Sequence, residues 1–157
     1  MTLRISRLVT LLALSVAFAG TAQAQHGRVH LGPRVSYHFD AEKAGLGVQL
    51  GAPIARQLEF YPSFDYFLVE NGTIWNLNAD LKYRVPAESI EWLYFGGGLN
   101  IAHRSFGNAD NTNAGLNVLI GAESRRGQVH PFGEFRFTVN DGNSSGQFAV
   151  GLNFTLR

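Results

Sequence analysis

Residues 75–85 read Trp-Asn-Leu-Asn-Ala-Asp-Leu-Lys-Tyr-Arg-Val, an unbroken alternation of apolar and polar side chains. A β-strand turns successive side chains to opposite faces, whereas a helix would scatter these two sets around its axis. One face carries Trp75, Leu77, Ala79, Leu81, Tyr83 and Val85. The other carries Asn76, Asn78, Asp80, Lys82 and Arg84, with both signs of charge at close spacing. Interspersed opposite charges suit a face that pairs with itself, so the polar side is a candidate interior.

The same period runs outward in both directions. Alternation recurs over 29–39, 45–52, 58–68, 93–101, 115–123, 132–139 and 147–156, which with 75–85 makes eight runs. Turn-forming residues separate them: 40–43, Asn71-Gly72, Pro86 to Ser89, Arg125 to Gln128 and 141–145. Ser105 to Asn113, rich in Asn, Asp and Gly, reads as the longest connection. The expectation is an all-β fold, an eight-stranded antiparallel up-and-down transmembrane β-barrel.

The first 24 residues have a different composition. Arg4 and Arg7 precede an apolar run from Leu8 to Gly20, and Ala22-Gln23-Ala24 is a small-x-small cleavage site. These are the parts of a secretory signal peptide, and the run is too short to span a bilayer as a helix. Residues 1–24 are assigned to that peptide and 25–157 to one barrel domain. The mature chain keeps all 12 acidic residues and loses Arg4 and Arg7 from the 13 basic ones, a net charge of −1. That charge gives no reason to expect a nucleic-acid partner. With no cysteine, neither disulfides nor thiolate metal sites are available. His30 and His38 stand eight residues apart, roughly 26 Å along a strand, too far to share one ion. No metal, cofactor or catalytic residue is assigned.

A soluble barrel also alternates, with its apolar face inward. Four features favour the inverted arrangement. The runs are long enough to cross the hydrocarbon at about 9–11 tilted residues each. The polar face is rich in glycine (Gly45, Gly47, Gly51, Gly96, Gly98, Gly121, Gly151), and the whole chain has just two lysines, Lys43 and Lys82. A narrow interior filled by side chains needs small residues beside large ones, which a solvated face does not. Pairing around Asn71-Gly72 sets Glu59 opposite Lys82 or Arg84. Aromatic residues (Tyr37, Phe39, Tyr66, Trp75, Tyr83, Phe154) sit near the ends of apolar runs, where rings favour the membrane–water interface. The candidate interior polar network is Arg34, Glu59, Asp65, Asp80, Lys82, Arg84, Glu134 and Arg136.

The C-terminal run Gly151-Leu152-Asn153-Phe154-Thr155-Leu156 resembles the terminal strand signal read by the barrel-assembly machinery. Pro131-Phe132-Gly133-Glu134-Phe135-Arg136-Phe137 resembles the penultimate strand of the same group. The chain as a whole resembles the small outer-membrane β-barrel proteins, the opacity-protein and porin-like group. It departs from them in ending on Arg157 and in placing Ala149 where a polar residue is common. The resemblance implies a monomer in the outer membrane, with outer-membrane lipid and the assembly machinery as partners. It also implies long outer loops, short periplasmic turns and a structural or surface-interaction role. Two other readings stand beside it. His103-Arg104-Ser105 followed by Asn113-Ala114-Gly115 is loosely similar to elements of outer-membrane lipid A deacylases, with Glu123 as the available acid. The third is a soluble periplasmic lipocalin-like barrel with an apolar ligand.

Overall fold

The computed structural model describes residues 28–156, apart from Glu88, Asn108, Arg125, Asp141 and Gly142. The signal peptide assigned to residues 1–24 and the terminal Arg157 lie outside the described residues. Eight strands follow one another: β1 (His30–His38), β2 (Lys43–Pro53), β3 (Leu58–Phe67), β4 (Gly72–Arg84), β5 (Leu93–Phe106), β6 (Ala109–Glu123), β7 (Val129–Asn140) and β8 (Asn143–Thr155). Each pairs antiparallel with the next, and β1 pairs with β8 to close the barrel. Closure gives every strand two neighbours, so the sheet has no terminal edge strand.

The stagger of the barrel follows from its register. From Arg84 the partners run through Tyr94, Gly121, Glu134, Ala149, Ser36, Gly45 and Phe67, and return to β4 at Ile74. One circuit therefore climbs ten residues along β4. A shear of ten on eight strands implies a strand tilt of roughly 40–45°. Every residue on that circuit points inward, so the lumen is lined by a spiral rather than by flat rings.

Two departures from expectation concern connections. Ser105 to Asn113 is not a long loop. β5 and β6 run on together until Phe106 pairs with Ala109, and Gly107 takes a left-handed backbone (φ 57°) at the tip. Asn, Asp and Gly are poor strand formers, but cross-strand partners decide the outcome. Asn71 likewise adopts a left-handed conformation (φ 56°) in the β3–β4 turn, and Gly72 already belongs to β4. The expected contrast between long and short ends is also reversed. At the far mouth the connections span two to four residues, whereas Val85–Trp92 at the terminal mouth, where β1 begins and β8 ends, spans eight.

Sidedness follows the alternation. Val35, Val48, Leu81, Leu99, Val118, Phe137 and Val150 are all exposed on the outer wall, Val118 at 67%. Their sequence neighbours Arg34, Gln49, Lys82, Asn100, Asn117, Arg136 and Ala149 are buried. Val29 and Ala52, expected outward, are buried at the terminal end.

Candidate functional site

The lumen is the chemically distinctive part of the molecule. Its largest buried side chains include Arg34, Arg136, Tyr61, Tyr94, Phe67, Lys82 and Leu119. Close packing inside eight strands requires relief around each of them, and glycine on a neighbouring strand supplies it. Arg34 stands between Gly47 on β2 and Gly151 on β8. A methyl group on Gly47 would press on Asp65 and Arg34, and one on Gly121 would collide with the Tyr94 ring.

All eight residues expected in the interior network are buried, and the structure joins them into two layers. In the layer near the terminal mouth, the Arg84 guanidinium grips Glu59 with a fork. Nε donates to Oε1 at 2.7 Å and Nη2 to Oε2 at 3.2 Å, while Nη2 also reaches Glu123 at 2.7 Å. Lys82 donates to Glu123 at 2.6 Å and lies 3.6 Å from Glu59. In the central layer Arg34 meets Asp65 at 3.2 Å and Glu134 at 3.3 Å. Arg136 meets Asp80 at 2.8 Å and Glu134 at 3.1 Å.

Amides tie the layers together. Arg34 donates to Gln49, Gln49 to Asn153, and Asn153 to Glu123. Asn117 donates to Asn78 and Asp80 and accepts from Thr138. Between the layers Tyr61, Tyr94 and Leu119 form an apolar plug. The Lys82 ammonium sits over both rings, 4.5 Å and 4.2 Å from their centroids. A buried charge left alone is costly, and these charges are paired, hydrogen-bonded or held against an aromatic face.

Sequence reading left out Glu123 and Leu119. Inward parity already marked Glu123, and its role as counter-ion to Lys82 and Arg84 follows once β4, β5 and β6 are adjacent. Leu119 lies in the apolar run Leu116–Ala122, where its alternation with Asn117 and Gly121 is hidden by its own apolarity.

The residues singled out for lipid A hydrolysis are placed apart. His103 and Ser105 lie on the outer wall near the far mouth. The His103 ring stacks on Trp75 at 5.0 Å, and its Nδ1 lies 2.9 Å from Thr112 Oγ1 and 3.5 Å from Asp110. Glu123 is eleven residues along β6 from Thr112, a distance of roughly 36 Å along the strand. It is held in the lumen by Lys82 and Arg84, so the arrangement of His103, Ser105 and Glu123 does not assemble.

No family model and no curated sequence matches the chain. Solved structures do match it. The N-terminal β-barrel domain of OprF from Pseudomonas aeruginosa aligns with a TM-score of 0.70 at 11% identity, covering 83% of this chain and 98% of that one. Neisserial surface protein A aligns with a TM-score of 0.59 at 16% identity, over 82% and 96% of the two chains. Ail, the attachment invasion locus protein of Yersinia pestis, gives 0.55 at 14% identity, over 82% and 97%. At these identities the likeness establishes the fold. It is the closed eight-stranded barrel of the small outer-membrane proteins.

Proposed function

We propose that this chain is an integral outer-membrane barrel whose polar core makes it a rigid scaffold for surface interaction. The observation that carries this reading is the inversion of the barrel. An apolar belt exposed on all eight strands encloses a lumen packed with paired charges. Soluble monomers rarely expose continuous apolar patches beyond a few hundred Å². A lipocalin-like role would need an apolar cavity inside, and here the charged network fills that space.

The aromatic residues support the same placement. Trp75 and Tyr83 stand eight residues apart on β4. That is roughly 26 Å along the strand, or about 20 Å along the axis of a tilted barrel. Tyr37, Tyr66 and Trp75 near one end, with Tyr83, Phe95 and Phe154 near the other, form two girdles around a thin hydrocarbon slab.

In this placement residues 1–24 direct export, the β8 terminal strand addresses the assembly machinery, and outer-membrane lipid surrounds a monomer. The terminal strand favours the opacity-protein and porin-like group within this class. The start of β1 and the end of β8 face the periplasm in this placement, so the far mouth faces outward. Its connections are short, and the strand-paired β5–β6 hairpin, with Asp110, Asn111 and Thr112 near its tip, is the surface offered to partners. The names of Ail and of Neisserial surface protein A accord with such a role.

Fractionation tests the reading. The protein is expected in outer membranes after cell breakage, with faster migration on gels when unheated than when boiled. Release by osmotic shock, with one mobility under both conditions, would overturn it.

A further inference from the structure

The terminal mouth holds a cavity of about 260 Å³ lined by Arg28, His30, Arg56, Glu59, Arg84 and His130, among others. Its walls come from the approach to β1, the β2–β3 turn, β3, the end of β4, the β6–β7 turn, β7 and β8. Its floor is made of the buried lumen residues His30, Glu59 and Arg84, so it opens into the lumen and does not belong to the lipid-facing wall.

The charge balance of this cavity is unequal. Glu59 is its one carboxylate among the described residues, and Arg84 and Lys82 already engage it. Arg28 and Arg56 are exposed, and neither is paired with a carboxylate among the described residues. Arg84 is buried, yet its Nη1 has no hydrogen-bond partner there. The rings of His30 and His130 meet edge-on at 6.3 Å. Among the described residues, two guanidiniums without a carboxylate partner thus flank a floor that already has its counter-ions.

We propose that this mouth binds a phosphate or phosphate-ester group. A planar guanidinium presents paired N–H donors that match phosphate oxygens. A phosphate carries more negative charge than a carboxylate, and its three or four oxygens can accept from two arginines that approach from different sides. The volume lies just below the roughly 300–1,000 Å³ of pockets for larger ligands, so it suits a small anion or a headgroup. The proposal rests on the lumen's own charges and does not depend on the membrane reading.

The test uses the mature protein in a maltoside detergent free of phosphate. Inorganic phosphate is titrated calorimetrically at constant ionic strength, with chloride as the reference. Saturable one-to-one binding is expected. The double variant Arg28→Gln/Arg56→Gln is expected to weaken it roughly tenfold or more, since it removes both guanidinium donors and their charges. Both side chains are exposed, so the double variant should keep its heat-modifiable mobility, which separates lost binding from lost folding. Arg126→Gln, outside the cavity lining, should bind as the wild type does. Phosphatidylglycerol added to the micelles distinguishes the sources. Competition with phosphate assigns the site to a lipid headgroup, and undiminished phosphate binding assigns it to the free anion. Heat no greater than chloride's, or phosphate binding retained by the double variant, would overturn the proposal.

Discussion

Glu59 sits among His30, Lys82 and Arg84 in the closed lumen, and its removal tests what the network contributes. Glu59→Gln leaves the Arg84 fork facing a neutral amide. Breaking one partner of a buried pair typically costs about 3–5 kcal/mol. The unfolding midpoint in urea, measured in detergent micelles, should fall accordingly. Glu59→Met combined with Arg84→Met removes both charges of the pair and leaves Lys82 with Glu123. It should cost clearly less than Glu59→Gln, and an equal or larger loss would contradict pairing as the source of stability. Much of this network was legible at single residues. Parity turned all eight expected residues inward, and the Asn71-Gly72 turn set Glu59 opposite Lys82 or Arg84. Which cation takes which carboxylate was not legible, because it depends on the shear. The spiral brings Glu123 to Arg84, and no local pattern encodes that meeting.

Single elements were legible in type and least legible at their ends. Ser105–Asn113 shows why. Its Asn, Asp and Gly content argues for a loop when each residue is considered alone. In the barrel, Ser105 faces Asp110 and Arg104 faces Asn111, so the sheet extends to the Gly107 tip. A ladder-bound backbone resists proteases, which need an extended segment free to enter their cleft. Trypsin added to the folded protein should therefore spare the bond after Arg104, although this residue is exposed. Rapid cleavage there, identified by mass spectrometry, would restore the loop reading. In the same β5–β6 hairpin, Val118 on β6 tests the outer face. Val118→Arg at the hydrocarbon midplane should cost about 2–4 kcal/mol of folding stability in lipid vesicles. An exposed valine on a water-facing wall would tolerate arginine almost without effect.

Across the whole molecule, the order of layers along the axis decides permeability. From the terminal mouth inward come the Glu59–Lys82–Arg84–Glu123 layer, the Tyr61–Tyr94–Leu119 plug, and the Arg34–Asp65–Asp80–Glu134–Arg136 layer. Each residue in this stack is at most 4% exposed. An eight-stranded wall encloses little more than its own side chains, and here glycines let the largest of them interlock rather than leaving a passage. A sugar crossing the lumen would have to displace the plug and separate several ion pairs at once. The breakage of even one such pair costs about 3–5 kcal/mol, so thermal opening wide enough for a sugar should be rare. Liposomes containing the folded protein are expected to show no swelling in isotonic solutions of small neutral sugars beyond that of protein-free liposomes. Tyr94→Ala alone should not change this, because the charged layers on both sides stay closed. Swelling at the rate of a general porin in the wild-type protein would mean that the stack opens as a unit, and the scaffold reading would give way to that of a channel.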